Sequence, residues 1–151
     1  MKKVVSRESV FDVLPMFEII GGQAILKEEN VELRESLLED YPELKNEKEE
    51  LVLKRIKRYK KVVDVLKLRY HNRCQICGFT FEKSDGRGYS EAHHVVRLAD
   101  NGSQDESNVI IVCANHHRMF HYAKEVRYHQ EEDVLLGVMI NGEYYPLQKS
   151  L

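Results

Sequence analysis

The sequence of 151 residues has no tryptophan, three prolines and three cysteines. An odd number of cysteines leaves one unpaired, which argues against a disulfide framework. The longest apolar runs, 109–114 and 134–140, fall far short of the roughly 20 residues that a membrane-spanning helix requires. No apolar segment of a signal peptide follows Met1-Lys2-Lys3. We therefore expect a cytoplasmic protein whose cysteines stay reduced and hold metal.

Charge is unevenly distributed along the chain, although the net charge is only −2. Residues 28–50 contain ten acidic and three basic side chains, whereas residues 51–73 contain nine basic side chains and one acidic. The basic cluster could form a face that binds phosphate groups. It could equally be a solvated helix face whose charges pair with the acidic segment. Composition does not decide between these interpretations.

Residues 43–73 contain neither glycine nor proline. Apolar side chains recur there at alternating spacings of four and three, which predicts a long amphipathic helix with a basic opposite face. This stripe could pack against other parts of the chain or form the seam of a homodimeric coiled coil. Its members are Val52, Ile56, Tyr59, Val63, Leu66 and Tyr70.

The rest of the chain predicts shorter elements. We expect a helix over 31–39, strands over 89–96 and 109–112, and a helix over 114–124, and we expect Pro42 to open the long helix. A loop is expected at 100–103. Asn141-Gly142 between two apolar runs predicts a β-hairpin with a type I′ turn. The expected organisation is a helical extension over 1–70, with a regulatory, dimerising or DNA-clamping role, followed by a domain over 71–151.

The cysteines and one histidine have the spacing of a metal site. Cys74-x-x-Cys77 lets both thiolates reach one ion, and Cys113-x-x-His116 repeats that spacing. Together they form a Cys3His set, which is a known structural zinc site. A redox role for the first pair lacks a surrounding thioredoxin-like pattern. His117 competes with His116 for the fourth position.

The remaining histidines can supply chemistry. Neutral histidine can act as a general base near neutral pH and can also bind metal. His93 and His94 are adjacent in a predicted strand, so their side chains project to opposite sides. His117 and His121 are four residues apart in a predicted helix, so they share one face and could reach the same ion.

These motifs, in this order, resemble the HNH endonucleases of the ββα-metal fold. The resemblance covers about residues 73–122. It is greatest to those restriction or defence nucleases that contain a structural zinc ion. It implies an α+β fold in which His94 is the general base and His93 and His117 bind a catalytic metal. It also implies that His121 is a third ligand and that Asn108 orients the loop carrying the base.

The chain departs from the usual pattern at two positions. His116 replaces the usual fourth cysteine, so zinc binding would be somewhat weaker. His93 stands where many relatives have aspartate, so Zn²⁺, Ni²⁺ or Mn²⁺ are expected as catalytic ions beside Mg²⁺. Glu91 shares the strand face of His93 and could orient a ligand or a water molecule.

The expected function is metal-dependent hydrolysis of phosphodiester bonds in DNA. The alternative is a zinc-stabilised module that binds nucleic acid or protein without catalysis. Arg97 and Arg118 could bind a phosphate or could equally be structural. The candidate nucleic-acid contacts are seven basic residues: Lys54, Arg55, Lys57, Arg58, Lys61, Arg97 and Arg118.

Overall fold

A computed structural model describes residues 14–95, 106–132 and 134–148. The protein has two compact units, Met1–Lys61 and Val62–Leu151, and the boundary falls inside a long helix. The domain boundary expected from the sequence, between residues 70 and 71, stays a prediction, as do the roles suggested for residues 1–70. Within the described ranges, no helix combines the length and apolar character needed to cross a membrane.

The first unit begins with a 3-10 turn at Leu14–Met16 and a hairpin of two strands, β1 (Phe17–Ile20) and β2 (Gln23–Leu26). Gly21 and Gly22 connect the strands with φ angles of 57° and 78°, which glycine adopts without strain. Helix α1 follows at Glu28–Asp40, and a second 3-10 turn covers Pro42–Asn46. The sequence predicted α1 but did not predict the hairpin.

The long helix, α2, covers Glu49–Arg69. It begins later than expected because Pro42 opens a 3-10 turn that ends at the extended residue Glu47. It ends before His71 and Asn72, which both have positive φ angles. The predicted stripe is covered within a single chain, since five of its members are at most 3% exposed: Val52, Ile56, Tyr59, Val63 and Leu66. A homodimer through this helix stays a prediction.

Ion pairs in the first unit join the acidic segment to the basic helix. Arg55 makes two contacts with the Glu47 carboxylate, at 3.1 and 3.3 Å. Lys60 lies 3.9 Å from Glu29, and Lys54 lies 3.9 Å from Glu50. Part of the basic cluster is therefore paired with acidic residues, as one of the two sequence interpretations anticipated.

The second unit contains a ββα arrangement. Strand β3 (Glu91–His94) pairs antiparallel with β4 (Val109–Val112), and helix α3 (Ala114–Tyr122) follows directly. A 3-10 turn at Glu106–Asn108 leads into β4. The predicted α+β class with a ββα core is confirmed. Arg97 and the predicted loop at 100–103 lie outside the described residues.

A three-stranded antiparallel sheet completes this unit: β5 (Val126–Glu131), β6 (Val134–Ile140) and β7 (Glu143–Pro146), in that order. The predicted hairpin is confirmed, because Asn141 and Gly142 have φ angles of 49° and 83° between β6 and β7. Strand β5 was not predicted. Val138 and Ile140 of β6 share a buried cluster with Cys74 and Cys113, so this sheet packs on the metal-binding segment.

Candidate active site and metal centre

The segment Cys74-Gln75-Ile76-Cys77 forms a tight turn that directs two thiols to one point. The backbone N–H of Gly78 donates to the Cys74 carbonyl at 2.7 Å, and the Ile76 N–H donates to the Cys74 Sγ at 3.4 Å. Gly78 has a φ angle of 76°, a conformation that a side chain at this position would strain. Sequence and local geometry therefore agree on a metal-binding turn.

Gln75 ties this turn to β4. Its side-chain Oε1 accepts a hydrogen bond from the Ile111 N–H at 2.8 Å, while its own N–H donates to the Ile111 carbonyl at 2.8 Å. Gln148 N–H donates to the Gln75 carbonyl at 2.6 Å. The thiols of the turn are thus held against the strand that precedes Cys113, although sequence reasoning assigned Gln75 no role.

Four donor atoms converge at the end of β4. His116 Nδ1 lies 3.3 Å from Cys113 Sγ and 3.6 Å from Cys74 Sγ, and Cys77 Sγ lies 3.8 Å from Cys113 Sγ. Tetrahedral ligands about 2.3 Å from zinc would lie roughly 3.8 Å apart. These separations fit a zinc ion, so the predicted Cys3His cluster is present with His116 as its fourth member.

The electrostatic setting of His116 favours metal binding. Burial lowers the pKa of His116 below the usual histidine value, because it disfavours the charged imidazolium. The neutral ring keeps a lone pair for the metal.

A second group of side chains is formed by β3 and α3. In β3, His93 is opposite Ile110 and His94 is opposite Val109, so the two imidazoles leave the strand on opposite sides. His94 is 2% exposed and His93 is 6% exposed. The strand pairing therefore fixes the position of each histidine backbone.

Three of the histidines meet at one point. Each of His93, His117 and His121 offers a ring nitrogen, and these nitrogens lie within 4.8 Å of one another. The Nε2 atoms of His117 and His121 are 3.3 Å apart, as their four-residue spacing on α3 permits. These donors fit a divalent ion that accepts imidazole ligands. His94 is not a member of this group.

Glu91 fixes the ring of His117. Its Oε1 lies 2.8 Å from His117 Nδ1, and its Oε2 accepts a hydrogen bond from the Tyr89 hydroxyl at 2.6 Å. The pKa of Glu91 is lowered, chiefly by the hydrogen bond with His117 and further by that from Tyr89, while burial opposes the shift. The Glu91 carboxylate therefore stays ionised and directs the Nε2 of His117 towards His121.

Replacing Glu91 with glutamine is expected to weaken binding of the second metal about 10–100-fold. Mutating a residue that hydrogen-bonds a histidine ligand typically lowers metal affinity by this factor. Titration of the zinc-loaded protein with Mn²⁺ by calorimetry measures the change. Glu143→Gln is the matched control, since Glu143 also accepts a hydrogen bond from a tyrosine two residues away, Tyr145, at 3.0 Å. Equal Mn²⁺ affinity in both variants would contradict this role for Glu91.

Two aromatic residues at this site were not predicted from the sequence. Phe120 stacks on the His93 ring with centroids 4.4 Å apart and planes 6° apart. The Tyr128 hydroxyl lies 2.9 Å from His93 Nε2. The alternation of Val126 and Tyr128 with polar residues is a strand signal that could have revealed β5. Nothing in the sequence indicated that this strand reaches the histidines.

Asn108 occupies the turn before β4. Its carbonyl accepts a hydrogen bond from the Val95 N–H at 2.9 Å, and the residue is 7% exposed. This bond extends the β3–β4 pairing beyond His94. The expected orienting role of Asn108 therefore has a backbone contact consistent with it.

The candidate DNA contacts are distributed over both units. Arg118 is exposed on α3 beside His117, and its charge contributes to the lowered pKa of Glu91. Arg58 and Lys61 are exposed on α2, and Lys57 is partly buried there. Lys54 and Arg55 are engaged by carboxylates in the first unit.

Comparison with known proteins finds similarity in this region. Residues 74–122 match the HNH endonuclease family model. A stretch of 56 residues is 38% identical to the type IV methyl-directed restriction enzyme EcoKMcrA of Escherichia coli K12, covering 36% of this chain and 20% of that protein. The modification-dependent TagI restriction endonuclease is structurally similar, with a TM-score of 0.50 and 30% identity, over 60% of this chain and 31% of the other.

The chain therefore spans less than a third of the length of either relative. The family match begins at Cys74 and ends at Tyr122, so it contains the Cys3His cluster and the three-histidine group. The segment that is similar to the HNH endonuclease family model therefore contains both groups and the ββα elements that hold them.

Proposed function

We propose that this protein is a metal-dependent DNA endonuclease with a role in restriction or defence. The observation that carries the proposal is the separation of two groups of metal donors within one domain. One is rich in thiols and built into the core, and the other includes His93, His117 and His121. A purely structural domain would need only the first group.

In the proposed reaction, His94 is the general base. It accepts a proton from a water molecule, whose oxygen attacks the phosphorus as the bond to the 3′ oxygen breaks. The departing 3′ oxygen takes up a proton from solvent, so the products are a 5′ phosphate and a 3′ hydroxyl. Asn108 supports this step indirectly, since its backbone carbonyl accepts a hydrogen bond from the N–H of Val95, the residue after His94. Proton transfer to a positioned base typically contributes about 10²–10⁴-fold to a rate.

His93, His117 and His121 would hold the divalent ion. Bound there, the ion would supply positive charge that stabilises the phosphoryl oxygens and the departing 3′ oxygen. Mg²⁺, Mn²⁺, Ni²⁺ and Zn²⁺ are the candidates, and imidazole donors favour the softer members. Glu91 keeps His117 in one orientation, and Phe120 restricts the ring of His93.

The names of both relatives support DNA as the substrate, because each is called a restriction enzyme or restriction endonuclease. A cytoplasmic location belongs to the same proposal, since reduced thiols are needed for the zinc site. Arg118 is a candidate for a phosphate contact, because it is exposed on α3 and adjoins His117 in the sequence.

A plasmid cleavage assay with the full chain tests the proposal. We expect supercoiled DNA to become nicked or linear in at least one of Mg²⁺, Mn²⁺, Ni²⁺ and Zn²⁺, and to stay intact when a chelator removes the second ion. The 5′ ends should accept a radiolabel from polynucleotide kinase only after phosphatase treatment. DNA binding without cleavage in all four metals would instead support a zinc-stabilised binding module.

The exposed cations of α2 provide a separate prediction about affinity. Replacing both Arg58 and Lys61 with alanine should weaken DNA binding and reduce the slope of log affinity against log salt by about 0.9 for each lost phosphate contact. Fluorescence anisotropy over a salt series measures both quantities. Lys54→Ala with Arg55→Ala removes the same charge from side chains that are paired with Glu50 and Glu47. An equal change in slope for both double variants would contradict a specific contact at Arg58 and Lys61.

A further inference from the structure

Strand β5 brings a tyrosine hydroxyl to the histidine group. The Tyr128 hydroxyl oxygen lies 2.9 Å from His93 Nε2. Phe120 stacks on His93 and lies nearly parallel to Tyr128, at a centroid distance of 5.8 Å and an angle of 18°. His93 is therefore restrained on one face by Phe120 and at one nitrogen by Tyr128.

His117 provides a direct comparison. Its Nδ1 contacts Glu91 at 2.8 Å, and its Nε2 faces His121 Nε2 at 3.3 Å. Nδ1 of His117 thus contacts a carboxylate, and Nε2 faces the other proposed metal ligands. This is the usual arrangement of a histidine ligand, whose second N–H donates to an oxygen that fixes its tautomer.

His93 has a similar arrangement, except that its oxygen partner lies at Nε2 and not at Nδ1. We propose that Tyr128 is a positioning residue for metal binding: its oxygen accepts a hydrogen bond from the Nε2–H of His93. That tautomer carries its lone pair on Nδ1 and presents it to the divalent ion. The inference rests on the proposed metal site at His93, His117 and His121. It adds a second positioning residue beside Glu91, from a strand outside the 74–122 match.

The chain offers a close internal control. Tyr144 also has its hydroxyl 2.9 Å from a histidine nitrogen, Nδ1 of His129. Both residues lie in the same sheet, but His129 and Tyr144 are exposed. Tyr128→Phe and Tyr144→Phe therefore each remove one hydroxyl and one histidine contact, and only the first contact involves a proposed metal ligand.

The experiment combines NMR and metal titration on the full zinc-loaded chain. Long-range ¹H–¹⁵N correlation without a second metal reports the tautomer of His93, which is assigned by the signals lost in His93→Gln. We expect the Nε2–H form in the unmodified protein and a mixture of tautomers in Tyr128→Phe. The Mn²⁺ dissociation constant of Tyr128→Phe should rise about 10–100-fold, whereas Tyr144→Phe should change neither quantity.

Two results would overturn the inference. One is an Nδ1–H tautomer of His93 in the unmodified protein, a readout that needs no variant to fold. The other is a Mn²⁺ affinity of folded, zinc-loaded Tyr128→Phe equal to that of Tyr144→Phe. Neither readout involves cleavage, so a protein that shows both expected effects but cuts no DNA would retain the role of Tyr128 and lose the proposed nuclease function.

Discussion

Replacing His94 with alanine is expected to lower the rate of DNA cleavage about 10²–10⁴-fold, because the general base is removed. His94 lies outside the three-histidine group, so the variant should keep its second metal ion. Cleavage should therefore fall while Mn²⁺ affinity stays unchanged. Initial rates of plasmid nicking at saturating Mn²⁺ measure the first quantity, and calorimetry measures the second.

The burial of His94 requires a second variant, since alanine would leave a cavity at a position that is 2% exposed. His94→Gln retains most of the volume but cannot act as a base at neutral pH. His129→Ala is the control for loss of a histidine. His129 is exposed and, as the neighbour of Tyr128 in β5, projects from the other face of the C-terminal sheet. Retained cleavage in folded, zinc-loaded His94→Gln would refute the assignment of the base.

Replacing Cys113 with serine is expected to abolish stoichiometric zinc binding and unfold the unit Val62–Leu151. Cys113 and Cys74 belong to the buried cluster that also contains Val138 and Ile140, so the metal and the core support each other. Structural zinc contributes about 10–16 kcal/mol of apparent binding free energy in small zinc domains. That is comparable with the whole stability of a typical domain, roughly 5–15 kcal/mol.

Native mass spectrometry gives the zinc stoichiometry, and hydrogen exchange of the β3 and β4 amides reports folding of this unit. His116→Cys is the informative control, because it replaces one ligand by another, gives four thiolates and should retain zinc. If Cys113→Ser kept one tightly bound zinc and full protection of β4, the Cys3His group would not be the structural centre.

Short-range spacing predicted each half of the Cys3His cluster and the individual strands and helix around it, whereas the family resemblance implied that these join as a ββα core with one metal cluster. Two residues between ligands, and four residues between His117 and His121 on a helix, determine which atoms can meet. Asn141-Gly142 likewise predicted its turn, since both residues tolerate positive φ angles. Such signals need no knowledge of how distant segments pack.

The contacts that the sequence did not reveal depend on long-range packing. Tyr128 reaches His93 across 35 residues because the C-terminal sheet packs on the core, and no local pattern specifies that approach. Glu91 was considered as an orienting residue, but its partner His117 is 26 residues away. The N-terminal hairpin was missed because its exposed strands lack clear apolar alternation.

Anomalous diffraction from crystals of the zinc-loaded protein soaked in Mn²⁺ tests most directly whether the domain holds two distinct metals. Data at the zinc and manganese absorption edges would locate each element independently. We predict zinc bound by Cys74, Cys77, Cys113 and His116, and manganese bound by His93, His117 and His121. A single shared ion, or no manganese peak at the three histidines under conditions that support cleavage, would contradict the account.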